Sequence, residues 1–92
     1  MIFIASPGTL LTVPIKGFLT KMQKITPVTV GVIPLGSVTV EVQITENGYW
    51  YPVVTGQLVG EITEAKVDTL IAPAIAVRFT AIGGNCTVEI GQ

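Results

Sequence analysis

The stretch Ser37 to Thr45, SVTVEVQIT, constrains this chain more than any other. Val38, Val40, Val42 and Ile44 fall on one side of an extended backbone; Thr39, Glu41, Gln43 and Thr45 fall on the other. Side chains alternate with period two along a strand, so the pattern predicts a strand with one buried face. A helix would scatter the same apolar residues around its surface. One apolar strand face needs a second layer to cover it. Asn47-Gly48 follows, a dipeptide suited to the left-handed conformations of a tight type I′ turn. Tyr49 to Val54 is then the expected return strand.

The same alternation recurs. Ile75, Val77, Phe79 and Ala81 lie on one side of Ala74 to Ala81, with Arg78 and Thr80 outward. Gly83-Gly84-Asn85 supplies a turn, and Cys86, Val88 and Ile90 return inward, which reads as a second hairpin. Val28 to Ile33 is a further strand, and Pro34-Leu35-Gly36 turns it into Ser37. VTVGV at 28–32 echoes VTVEV at 38–42, and the two copies read as the arms of a hairpin. Shorter strands are expected at Thr9 to Val13, Leu58 to Ile62 and Thr69 to Ala72. Gly17 to Ile25, GFLTKMQKI, fits a short helix or a strand, and its β surroundings favour the strand. Together these predict a single all-β domain over 1–92, a small antiparallel sandwich or barrel of seven or eight short strands.

Composition narrows the function. Only 12% of residues are charged, about half the usual share. That predicts a Thr-, Val-, Gly- and Ile-rich surface, weakly guarded against association. The five Lys and Arg are dispersed, so no nucleic-acid partner is expected. Lys16, Lys21 and Lys24 have no acidic neighbour in residues 1–30, whereas residues 31–92 are net acidic. A basic arm docking on an acidic neighbour accounts for this, and so does a solvated face. There is no histidine, which removes the commonest general base and metal ligand. Cys86 is alone, so no internal disulfide forms, and its apolar strand suits a small buried hydrophobe. Glu61, Glu64 and Asp68 sit in EITEAKVD, a polar stretch that reads as a solvated loop. Glu41 and Glu89 face outward from strands and could approach one another. No enzyme activity, cofactor or metal is expected. Asn85-Cys86-Thr87 matches the glycosylation sequon and reads as a chance match in a turn. The opening Met1-Ile2-Phe3-Ile4 lacks the pattern of a signal peptide, and no run is long enough for a membrane helix. Synthesis in the cytoplasm with no membrane partner is the expectation.

Contact residues are the remaining candidates. In Tyr49-Trp50-Tyr51, Trp50 faces opposite to its neighbours. Trp50 is expected in the core, and Tyr49 and Tyr51 on a contact surface. Residues 1–16 read as an extended arm, because Ile2, Phe3, Ile4, Leu10 and Leu11 would be costly to leave in water on a monomer. Such an arm suits strand addition to a neighbour. Arg78 is either an ordinary outward strand residue or an interface anchor.

The string VTVEVQITENGYWYPVVTGQL, followed by APAIAVRFTAIGGNCTVEIGQ, resembles small β-sandwich virion proteins of tailed bacteriophages. The resemblance covers roughly residues 37–92. It rests on Asn47-Gly48 at a turn, Trp50 in the next strand, and Ala72-Pro73 and Val77-Arg78 in a later one. It implies a virion protein made in the host cytoplasm, most simply a decoration or cement subunit on the head. A fibre or tail component, or a carbohydrate-binding module, is the alternative. The implied partners are the major capsid protein or other virion proteins, with further copies of the chain in a homo-oligomer, a trimer being favoured.

Overall fold

The computed structural model describes residues 1–15, 27–70 and 74–91. Within them the strands are β1 (Ile2–Ala5), β2 (Leu11–Pro14), β3 (Val28–Pro34), β4 (Ser37–Gln43), β5 (Trp50–Pro52), β6 (Lys66–Leu70), β7 (Ala76–Ile82) and β8 (Cys86–Gly91). They form two four-stranded antiparallel sheets, ordered β1-β8-β3-β6 and β2-β7-β4-β5. The described residues are all-β, as the alternation predicts, and of the two expected architectures, sandwich or barrel, they form the sandwich. Gly17 to Ile25, the three lysines of the first thirty residues and Ala72-Pro73 lie outside the described residues.

The inner faces meet in one core. Val28, Val30 and Val32 of β3 and Cys86, Val88 and Ile90 of β8 line the first sheet. Val38 and Val40 of β4 and Val77, Phe79 and Ala81 of β7 line the second. Phe79 is the largest fully buried side chain among the described residues. Removing it would cost about 3–5 kcal/mol, a large share of the stability of so small a domain. Leu58 is fully buried and Ile62 nearly so, both from the irregular stretch between β5 and β6.

Two expected hairpins are not hairpins. β3 pairs with β8 and β6, not with β4, and β4 pairs with β7 and β5. β3 and β4 are instead one long period-two strand that bends from one sheet into the other at Leu35-Gly36. Residues 28, 30, 32, 38, 40 and 42 keep the same inward phase across the bend. β8 and β7 bend beside them. Pro34 pairs with Cys86 and Ser37 with Ile82, and the Leu35 N–H donates to the Asn85 carbonyl, 2.9 Å. Gly36 alone therefore faces two residues, Gly83 and Gly84. This is a β-bulge, with Gly83 in the left-handed region at φ 76°. A bulge bends and twists a strand, which is what carries both strands around the corner. A Cβ on Gly36 would strike the Ile82 carbonyl oxygen and come within 3.1 Å of the Gly83 Cα.

β4 and β5 do form a hairpin, through a wider loop than a type I′ turn. Gln43 pairs with Trp50, leaving residues 44–49 in the connection. The Gly48 N–H donates to the Thr45 carbonyl at 3.0 Å, and Asn47, at φ 58°, is the left-handed residue of that turn. Glu46 is not left-handed, which excludes type I′. Leu58 to Ile62 is not a strand: only Ile62 makes a bridge, to Val38, with both bonds at 2.9 Å. Part of the stretch expected as a solvated loop is the edge strand β6. Residues 2–5 and 11–14 are not a projecting arm. They are edge strands on β8 and β7 of the same chain, because Ala5 and Val13 are core residues and Phe3 and Leu11 pack against the core.

Replacing Gly36 by Ala forces main chain apart at the corner and should cost about 1–3 kcal/mol. Gly31→Ala is the control. A Cβ there meets only ordinary contacts at 3.9 Å and beyond, so this variant should be neutral or slightly stabilising in the strand. Urea unfolding of both variants measures the difference.

Candidate functional site

The candidate residues do not converge on one cleft. They divide between the two outer faces of the sandwich. On the β2-β7-β4-β5 sheet, alternation turns Thr12, Arg78, Thr39, Glu41 and Gln43 outward. Arg78 and Glu41 are direct cross-strand partners. The Arg78 Nε and Nη2 both donate to Glu41 Oε1, at 3.1 and 2.8 Å. The guanidinium carbon lies 4.5 Å from the centre of the Trp50 ring.

Trp50 is therefore not a core residue. Opposite Gln43, which turns outward, it shares the outer face and is half-buried beneath Arg78. Its indole gives the guanidinium an apolar, π-rich floor. The pair is only partly shielded, at 22% and 28% side-chain exposure, so ion pair and stacking together stabilise on the order of 1 kcal/mol. Their larger effect is to hold the cation in place. Tyr49, 82% exposed in the loop, and Tyr51, 48% exposed opposite Val42, lie at the end of this sheet.

The outer face of the other sheet is apolar at its borders. Ile2 and Ile4 of β1, Ile33 of β3 and Val67 of β6 are all more than half exposed. Gly31 and Gly91 leave a depression between them of about 410 Å³, lined by Thr29, Ile33, Val67, Thr87 and Glu89 among others. Leu10, in the β1–β2 connection, is also exposed.

Glu41 and Glu89 do not approach one another: they sit on opposite outer faces of the sandwich. Glu64 pairs with Lys66 at 3.3 Å. Asp68 accepts the Gln57 N–H at 2.9 Å and the Thr69 N–H at 2.8 Å, which ties the loop carrying Leu58 to β6. Among the described residues no cluster of three or more His, Cys, Asp or Glu comes together. Cys86 is buried in the core, and burial pushes its thiol above the ordinary value, a backbone hydrogen bond with Ile33 opposing the shift.

Two predictions follow from this geometry. A double-mutant cycle on Arg78→Met and Glu41→Gln should give a coupling of about 0.5–1 kcal/mol in urea unfolding; a coupling of zero would remove the pair from the account. For Cys86, folding favours the protonated thiol. Its contribution is intact below pH 9.0, the ordinary thiol value, and is lost as pH rises through the folded-state pKa. The stability of Cys86→Ala should therefore fall less steeply above that pH than that of the parent chain, measured by unfolding across the range. Comparison of the chain with protein-family models, with curated proteins and with solved structures finds no match in any of the three.

Proposed function

We propose that this chain is a non-enzymatic structural subunit of a bacteriophage particle, a decoration or cement module that self-associates and binds the head shell. The observation that carries the reading is the apolar rim of the β1-β8-β3-β6 face. Ile33 and Val67 stand exposed at a shallow glycine depression that Lys66 and Glu89 also line, and Ile2 and Ile4 stand exposed on the edge strand of the same sheet. Such a surface suits a broad contact with another protein, because covering it removes apolar area from water. The low charge of the chain suits a subunit that works inside an assembly. The likeness of residues 37–92 to small virion sandwiches supplies the kind of assembly. The opposite face, with Arg78 held by Glu41 and Trp50, offers a preset cation to a second neighbour.

A carbohydrate-binding module is the second reading. It is favoured by the exposed Tyr49 and Tyr51 and is separated by a glycan array.

Particles purified from a stock of the phage that carries this chain should contain it in many copies per head, measured by quantitative mass spectrometry. Substituting Ile33→Lys together with Val67→Lys should leave the isolated fold intact and strip the chain from particles. Particles that lack the parent chain altogether would contradict the reading.

A further inference from the structure

Among the described residues four strands lie at sheet edges, and three of these edges are interrupted. In β2, the Ile15 N–H donates to the Ile75 carbonyl at 2.8 Å. That sets the ladder phase and turns the backbone groups of Thr12 and Pro14 outward. Pro14 has no N–H to offer. In β5, the Val53 N–H donates to the Val40 carbonyl at 3.4 Å. Trp50 and Pro52 then face outward, and Pro52 again lacks the donor. In β6, the phase of the β3 ladder turns Val67 and Thr69 outward. The Thr69 N–H is taken by Asp68 Oδ1 at 2.8 Å.

β1 has no such device. Met1 and Ile90 exchange both main-chain bonds, each 2.8 Å. Met1, Phe3 and Ala5 therefore bond toward β8, and the N–H and C=O of Ile2 and Ile4 point away from the sheet. They meet no partner among the described residues. The strand IFIA has no proline and no charge, the features that usually protect an edge. Its outward side chains are also exposed, Ile2 at 66% and Ile4 at 54%.

We propose that β1 pairs antiparallel with β1 of a second copy of this chain, across a two-fold axis perpendicular to the sheet. The register follows from the phase. An antiparallel copy centred on Phe3 places Ile2 opposite Ile4 of the partner subunit, and Ile4 opposite Ile2 of the partner subunit. Every outward donor then meets an outward acceptor. The four isoleucines form one apolar patch on the outer face. The contact is self-complementary, as a two-fold interface must be, and no charged side chain enters it; the Met1 ammonium bonds to the Ile90 carbonyl of its own chain. The nearest outer-face charge, Glu89, lies one strand inward, opposite Ile2. The two copies of Glu89 would be three strand spacings apart, about 14 Å, beyond the screening length at physiological salt. The two sheets become one of eight strands. This inference names the surface for the self-association in the proposed function, and it stands on the edge geometry whether or not the assembly is a virion.

The test is molar mass by light scattering across a concentration series, with unfolding curves on the same samples. The parent chain should approach twice its 9.7 kDa mass. Ile4→Lys, at an exposed position, and Ile4→Pro, which removes an outward N–H along with the isoleucine side chain, should fold and raise the dimer dissociation constant roughly 30-fold or more, the effect of losing one interface hot spot. Ile33→Lys, on the same face but away from the edge, should dimerise like the parent. Mixing Ile2→Cys with Ile4→Cys chains should give mixed disulfides faster than either alone. A folded monomer at every concentration, a trimer, or a dimer indifferent to Ile4→Lys and Ile4→Pro would overturn the proposal. Because particle binding is measured separately, a virion subunit that never dimerises and a dimer that never enters virions remain distinguishable.

Discussion

Main-chain N–H and C=O groups at the rim of an open sheet must bond to something, and this fold is organised around where those groups go. Among the described residues two separate four-stranded sheets leave four edges. Pro14 and Pro52 sit at outward-facing positions of edge strands, where a missing donor costs the ladder nothing. Asp68 turns its carboxylate back onto the outward N–H of its neighbour and holds the 55–58 loop with its other oxygen. Features that look unrelated in sequence are thus answers to one problem. Among the described residues nothing bonds the outward groups of β1, and that is the edge at which the proposed second copy pairs.

The core depends on the same economy of backbone pairing. β3 and β4 run as one strand around a corner, so a single period-two pattern supplies the inner faces of both sheets. β8 and β7 follow them, and the bulge at Gly83-Gly84 shifts the inward set from even to odd residue numbers. Alternation made β3, β4, β7 and β8 readable from the sequence. The echo of VTVGV and VTVEV was also readable, but its meaning was not. Copies an even number of residues apart keep phase whether the chain folds back or continues, and only the stacking of Gly36 on Gly83 and Gly84 decides between the two.

The short edge strands were harder to read, for physical reasons. KVDTL carries charges because an edge strand is half-solvated, and those charges made it resemble a loop. IFIA is apolar and reads as a sticky segment, but nothing local says that its partner is β8, more than eighty residues away. At the candidate site, Arg78 and Glu41 were legible as outward residues. Their pairing depends on the β4–β7 register. Trp50 was expected inside because large aromatics bury well. A six-residue connection, set by the Gln43–Trp50 pairing, turns it to the outer face, where Arg78 covers it.

Under the proposed pairing, the Ile2 and Ile4 main-chain groups bond to a second copy and are open only in the monomer. Amide hydrogen exchange of the parent chain, resolved by residue and recorded from micromolar to millimolar, tests it most directly. Protection at Ile2 and Ile4 should rise with concentration, while Phe3, already bonded to β8, stays protected throughout. Free-amide exchange at Ile2 and Ile4 at millimolar concentration, with Phe3 protected, would contradict it.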